Sequence, residues 1–416
     1  MSRIILVGIG SRGDIAPLTG LGVGLRDAGH EVVVAAHTLF AEQITGCGLE
    51  FREMTHDIDI DMTDPDVNRL SAGWKFSSPK GVRSLGLGMI RALLDEPADV
   101  LLLPPPTEYA GLALAEAKGI PSIGLRFQPL SATAEHAPSG YGAYDFGARG
   151  NRLAADFGAW FNDRFYAGTV AFFRRELGLP PISVYDLRRA RTAAGWPMLN
   201  GYSPSVVPRP ADWRTGLEVT GYWWPPRPDG WEPPAELTEF LAAGPPPVFI
   251  GFGSMADSKE GTARTGRIIA GALRRAGVRG VVQSGWLNLD VSGDDVLTIG
   301  EAPHDWLFPR MAAVVHHCGA GTTAAGLRAG VPAIGAPVYA DQPFWAQRLI
   351  DLGVSPATIP YSKMSEDRLT DALRRATTDT ALRDNATRVA ARIAAEDGVG
   401  QAVKAIEAHL GALRKG

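Results

Sequence analysis

Apolar residues gather in short unbroken runs at 2–9 (SRIILVGI), 31–36 (EVVVAA), 100–103 (VLLL) and 121–125 (PSIGL), separated by helix-period stretches such as LTGLGVGLRDAGH. Runs of this length predict strands, and their alternation with helices predicts a parallel, doubly wound α/β sheet. The pattern restarts beyond residue 247 with PVFIGFGS, RIIAGALRRAGV, GVVQSG, VLTIGE, AAVVHHCG, TTAAGLRAG, PAIGAPV and FWAQRLIDLG. Two Rossmann-like halves facing across a cleft are the simplest architecture. Between 140 and 200 the pattern weakens; LAADFGAWFNDRFYAGTVAFFRREL reads as one long amphipathic helix with no assignable partner, and AVKAIEAHLGAL as a terminal helix.

Proline clusters at GYWWPPRPDGWEPP and AAGPPP fall near mid-chain, where a linker belongs. The expected organisation is a first domain over 1–225, a linker over 226–246, a second domain over 247–398 and a C-terminal helix over 399–416. With 416 residues, 45% hydrophobic and 21% charged, the chain is long enough for two core-forming domains. A net charge of −4 and the lack of a Lys/Arg run disfavour nucleic acid as a partner. The two cysteines, Cys47 and Cys318, are too few and too far apart for a disulfide framework or a structural zinc site. No apolar stretch reaches membrane-spanning length and no signal peptide opens the chain, so a cytoplasmic location is expected.

The first strand leaves through VGIGSRGD, a literal G-x-G-x-x-G at Gly8, Gly10 and Gly13. A dinucleotide fingerprint also needs an acidic residue at the tip of the second strand, and that strand ends Ala35, Ala36, His37. The loop Ser11, Arg12, Gly13 would still present Arg12 and Asp14 to a cleft at a helix entrance, although Asp14 also suits an N-cap with Pro17 in the first turn. A second glycine loop lies in AVVHHCGAGTT. A strand ending at His317, the turn Gly319 to Gly321 and a helix opening with Thr322 and Thr323 make an anion site of free N–H groups, hydroxyls and an imidazole. Without G-K-[ST] it is not a nucleoside triphosphatase loop. Asp341 and Gln342 follow the next strand, where a carboxylate beside an amide suits a polyhydroxylated ligand or caps a helix begun by Pro343. GFGS would bring Ser254 toward the same place. DIDIDMTDPD, 57–66, admits a divalent-metal reading but more simply a solvated acidic loop.

GSRGDIAPLTGLGVGLRDAGHEV, QPLSATAEHAPSG, GYSPSVVPRPADW, VTGYWW, GFGSM, HHCGAGTT and DQPFW together resemble the inverting glycosyltransferases of family 1, which have the two-domain GT-B fold and move a sugar from UDP or dTDP to small lipophilic acceptors. The sterol-glucosyltransferase-like branch is most similar, with antibiotic enzymes as cousins. That resemblance implies that Asp14 is the general base and that His317, Gly319, Gly321, Thr322, Thr323 and Ser254 contact the diphosphate. It implies further that Asp341 and Gln342 hold sugar hydroxyls, glucose being favoured. Glu301 stands where plant members stack a tryptophan on uracil, so Trp286, in QSGW, is offered as the stacking substitute, and Ala302 is a further donor-side candidate. Ala325 replaces a ribose-binding Glu, and Cys318 a usual Gly. The implied reaction is a single in-line displacement with no metal and no cofactor beyond the nucleotide-sugar co-substrate, and protonated His317 assists the leaving group. A helix N-terminus should favour ionised Asp14, making it a weak base. Trp74, Phe76, Phe127, Tyr141 and Phe146 are candidates for an apolar acceptor pocket or for core. The competing readings are a nicotinamide-dependent oxidoreductase and a sugar-nucleotide-binding helper without catalysis. Oligomeric state is not legible.

Overall fold

The computed structural model describes residues 1–55, 75–227, 230–253, 255 and 257–413. The acidic run 57–66, Trp74 and Ser254 lie outside the described residues. Seven strands form the first sheet: β1 (Arg3–Val7), β2 (Glu31–Ala36), β3 (Glu50–Glu53), β4 (Val100–Leu103), β5 (Ser122–Arg126), β6 (Met198–Asn200) and β7 (Leu217–Val219). They lie in the order β3-β2-β1-β4-β5-β6-β7, with every adjacent pair parallel. The second sheet holds β8 (Val248–Gly251), β9 (Gly280–Gln283), β10 (Val296–Ile299), β11 (Ala313–His316) and β12 (Ala333–Gly335) in the order β10-β9-β8-β11-β12, again all parallel. In each sheet the strand order reverses beside the first strand, and ligands of open parallel sheets bind at such a switch point. Both glycine loops leave strands at these points, one after β1 and the other after β11.

Each sheet is covered on both faces by helices, and the central strands are apolar on both sides, as their uninterrupted hydrophobic runs require. The helix Arg12–Asp27 packs on the first sheet through Ile15, Leu18, Leu21 and Leu25. Its Gly20 touches the strand-like segment leading to the second domain, where an added Cβ would lie 2.4 Å from the Trp224 carbonyl oxygen. Backbone cannot retreat as a side-chain tip can. Gly20→Ala is therefore expected to lower stability by about 1–3 kcal/mol, read as a lower urea midpoint.

Three features depart from the sequence reading. The stretch read as one long helix is two, Gly147–Phe165 and Ala167–Glu176, broken at Tyr166. The Tyr166 ring lies 4.8 Å from that of Tyr109 and its hydroxyl donates to the Ser77 carbonyl at 2.6 Å, which turns the chain so that Val170 and Phe173 reach the core. A helix, Ala235–Ala242, lies inside the proline-rich linker stretch and buries Leu237. The last helix, Gly398–Leu413, returns to the first domain, where Ala402, Val403, Ile406 and Leu410 join the core around the Arg12–Asp27 helix. Ser203 Oγ donates to Glu396 at 2.7 Å and Arg348 donates to the Val206 carbonyl at 2.7 Å, tying the two domains where the chain crosses.

Candidate active site

The wall from the first domain is built by the turn after β1. Gly10 has φ +124°, and a Cβ there would lie 2.3 Å from Asp14 Oδ2, so glycine allows the carboxylate to fold back over the loop. That oxygen accepts the Ser11 N–H at 2.7 Å and the Ser11 hydroxyl at 2.9 Å. Ser11, not Asp14, is the N-cap; Asp14 is the third helical residue and Pro17 falls in the second turn rather than the first. Burial lifts the Asp14 carboxyl above the usual carboxylate range, and the two Ser11 bonds offset this only in part. The expectation of a weak, readily ionised base is thereby corrected: desolvation outweighs the helix terminus. Gly13 is exposed, and a Cβ would meet only Ser11 Oγ at 3.6 Å. In a dinucleotide loop the third glycine is needed for close packing, and here it is not.

The facing wall follows β11. This strand ends at His316, one residue earlier than expected, and the helix Ala320–Ala329 begins two residues before Thr322, with Gly319 as N-cap. Gly321 and Thr322 therefore lie in the first turn with N–H groups that have no intrahelical acceptor, whereas the Thr323 N–H donates to the Gly319 carbonyl at 2.9 Å. His316 Nδ1 accepts the Cys318 N–H at 3.0 Å, while Cys318 takes the left-handed conformation at φ +62°. A glycine would adopt that geometry without strain. Burial pushes the Cys318 thiol up, which disfavours the thiolate form. Thr323 is fully buried, and its hydroxyl has no hydrogen-bond partner among the described residues.

Burial also pushes His317 down to about 4, so the free protein carries a neutral imidazole there and not the protonated one expected. His304 is likewise pushed down to about 4, by burial first and then by Arg12 and His317, and His316 to about 3. The loops after β8 and β9 close on the same point. A Cβ on Gly253 would lie 3.0 Å from His317 Cε1, and the backbone N–H of the half-buried Trp286 donates to the Gly253 carbonyl at 3.1 Å. Ala302, half-buried, packs against the second-domain core.

Asp341 and Gln342 are fixed by their own helix. Asp341 occupies the N-cap position of Gln342–Asp351, but its carboxylate does not cap; Oδ2 accepts the indole N–H of Trp345 at 2.8 Å. Gln342 Oε1 accepts the N–H groups of Val338 at 2.8 Å and Tyr339 at 3.3 Å, leaving its amide nitrogen as the end that donates outward. Burial raises the Asp341 carboxyl, and Asp14 from the other domain adds to the rise. Two carboxylates from opposite walls thus sense each other across the cleft. Arg12 reaches over to form an ion pair with Glu301, so two residues singled out separately are partners.

The structure links Arg12 with Glu301 and His304, Ser11 with Asp14, Asp14 with Asp341, and His317 with Gly253 and Gly319, while Thr322 and Thr323 stand on the helix that Gly319 opens and Gln342 follows Asp341. Sequence reasoning missed His304 and Trp345. A usable signal existed for Trp345, because residues four apart on a helix meet, as Asp341 and Trp345 do. Of the acceptor candidates, Phe127 is core, edge-on to Trp223 at 5.9 Å, while Phe146 is exposed and Phe76 and Tyr141 are half-buried. Among the described residues no group of three or more His, Cys, Asp or Glu is placed to hold a metal ion.

Two doubly wound parallel-sheet domains, with the helix terminus at Gly319 and the Asp14 carboxylate on facing walls, define a GT-B glycosyltransferase architecture. The glycosyltransferase family 28 N-terminal domain matches residues 4–136, and the erythromycin biosynthesis protein CIII-like C-terminal domain matches residues 288–408. The chain is 35% identical to O-mycaminosyltylonolide 6-deoxyallosyltransferase of Streptomyces fradiae, covering 97% of each. It is 34% identical to sterol 3-beta-glucosyltransferase UGT80A2 of Arabidopsis thaliana over 98% of its own length and 66% of the plant chain. To sterol 3-beta-glucosyltransferase of Candida albicans it is 33% identical, spanning 28% of that protein. Among solved structures, the glycotransferase of kitacinnamycin superposes with a TM-score of 0.73 at 20% identity, covering 98% of both chains. The calicheamicin glycosyltransferase CalG4 superposes at 0.70 and 19% identity, over 99% of this chain and 98% of that one. The protein belongs to the family 1 GT-B glycosyltransferases, in the branch that contains sterol glucosyltransferases and antibiotic glycosyltransferases.

Proposed function

We propose that the protein is an inverting, metal-independent hexosyltransferase that moves a hexose, with glucose the first choice, from UDP or dTDP to a hydroxyl of a small lipophilic acceptor such as a sterol, terpenoid or polyketide. The observation that carries this reading is the pairing across one cleft of Asp14, a carboxyl raised by burial, with the helix terminus at Gly319. A raised carboxyl is a better proton acceptor once ionised, and it stands opposite a site suited to a diphosphate. In the proposed step the acceptor oxygen attacks the anomeric carbon while its proton passes to Asp14. The bond to the diphosphate oxygen breaks and its electrons leave with the nucleoside diphosphate. N–H groups at Gly319 to Gly321, the hydroxyls of Thr322 and Thr323 and a ring N–H of His317 receive that charge. The free oxygen of Asp341 and the amide N–H₂ of Gln342 would hold sugar hydroxyls, and Trp286 would stack on the base. A cytoplasmic location belongs to the same reading.

Calorimetric titration with UDP, dTDP and NADH, with and without EDTA, tests the donor side. UDP or dTDP is expected to bind with no loss in EDTA, and His317→Ala to weaken it by about tenfold or more, the size of a hydrogen bond to a charged group. Transfer from UDP-glucose or dTDP-glucose to hydroxylated lipophilic acceptors tests the chemistry. A product retaining the donor's anomeric configuration, or turnover abolished by EDTA, would falsify the mechanism.

A further inference from the structure

The helix Gly147–Phe165 turns its apolar side outward. Leu153, Phe157, Trp160 and Phe161, 68%, 60%, 50% and 47% exposed, recur at the i, i+4, i+7, i+8 spacing that normally faces a core. Its one buried residue is Asn151, which accepts the Phe146 N–H at 2.9 Å and donates to the Ala134 carbonyl at 3.2 Å. At 100° per residue the four apolar side chains fall within an arc of about 120°, and Arg149 and Arg164 fall within the same arc, near either end of the helix. The Arg164 guanidinium lies 4.9 Å from the Trp160 ring, and neither arginine is in an ion pair among the described residues. The helix's carboxylates Asp156 and Asp163 lie to the side and act on Arg188, which pairs with Asp163 at 2.8 Å.

We propose that this face binds the surface of an anionic phospholipid membrane, with its aromatic side chains seated among the headgroups. Charge decides between occupants. In a protein–protein contact, Arg149 and Arg164 would be desolvated inside an apolar stripe, and a second copy of the same stripe would bring arginine to arginine with no carboxylate in the arc. At a lipid headgroup their stems lie along the apolar surface while the guanidinium groups meet phosphate, and tryptophan favours that depth. No helix among the described residues is long and apolar enough to cross a membrane, so the contact is a surface one.

Beside this face the helix meets the segment that leads to the cleft. Tyr141 donates its hydroxyl to the Ala154 carbonyl at 2.8 Å, and its neighbour Gly142 faces Pro343, beside Asp341 and Gln342, at 3.4 Å from where a Cβ would stand. A lipophilic acceptor would then enter from the bilayer; that consequence rests on the reaction proposed above, whereas the binding does not.

Flotation of the full chain with phosphatidylcholine vesicles and with vesicles containing phosphatidylglycerol tests the binding without reference to catalysis. The wild type is expected to float with the anionic vesicles, weakening as salt is raised. The double variant Phe157→Ser/Trp160→Ser should bind them at least about tenfold more weakly, and Arg149→Glu/Arg164→Glu should lose binding to the anionic vesicles by a similar factor. All these side chains are exposed, so the melting temperature should not fall. A wild type that stays with the soluble fraction overturns the proposal, as does vesicle binding that both variants retain. A wild-type dimer that becomes monomeric in Phe157→Ser/Trp160→Ser, with no vesicle binding, would assign the face to a second copy instead.

Discussion

Asp14→Asn is expected to lower kcat by about 10²–10⁴-fold while making the folded protein more stable at neutral pH. Both outcomes come from one physical fact. Burial raises the Asp14 carboxyl, so its folded pKa exceeds its unfolded one. The stability that this group contributes is present at low pH and is lost as pH rises through the folded value. At pH 7 the ionised carboxylate is therefore a burden on the fold, retained at a place where a proton acceptor is wanted. Asparagine keeps an oxygen to accept the Ser11 N–H and hydroxyl at little change in shape, but it cannot take a proton. The acid limb of kcat/KM in the wild type should lie above the ordinary carboxylate range of about 4, and the variant should lose that limb. A variant within tenfold of wild-type kcat, or one that melts lower, would remove Asp14 from the role of base.

A steep loss of stability between pH 6.5 and about 4 is the second large effect. His304, His316 and His317 are held neutral by burial, with His304 stacked 4.2 Å from the Phe308 ring. For a histidine whose folded pKa is depressed, the unfolded chain takes up the proton first, so stability falls as pH drops below 6.5 and continues to fall until the folded value is reached. Each net proton withheld by the fold costs about 1.4 kcal/mol per pH unit. Asp14 and Asp341 act in the opposite direction, because the fold raises them, but the three imidazoles outnumber them. Urea midpoints at pH 7.5 and 5.0 would read the difference. His316→Asn is expected to flatten the dependence, since an amide oxygen can accept the Cys318 N–H in place of Nδ1 without titrating. Equal midpoints at the two pH values, or an unchanged slope in the variant, would mean that these histidines charge inside the fold.

The features legible beforehand were local ones. A strand, a glycine turn and a helix lie within fifteen residues of each other at both Gly8–Asp14 and His316–Thr323, so both strand-turn-helix loops and the side chains on them could be read from adjacent positions. β6 and β7, three residues each, gave no periodicity to detect. The break at Tyr166 depends on Tyr109 and Ser77, more than fifty positions away. The outward aromatic stripe of Gly147–Phe165 shows the same limit in reverse: spacing established that the helix has an apolar face, but not the direction in which it points.

Charge states followed the same division. For Asp14 the nearby helix terminus argued for easy ionisation, yet the walls assembled from both domains remove water and reverse the sign. His317 was expected to be protonated and is neutral for the same reason. Alone, the chain determined its two doubly wound halves, the switch-point loops and which side chains stand on them, because backbone periodicity and turn chemistry are encoded over a few residues. Only the tertiary structure decided which loops meet, that Arg12 pairs with Glu301, that Trp345 orients Asp341 and that the last helix returns to the first domain. Those outcomes depend on burial and on distances between residues remote in sequence, and desolvation is set by everything that surrounds a group.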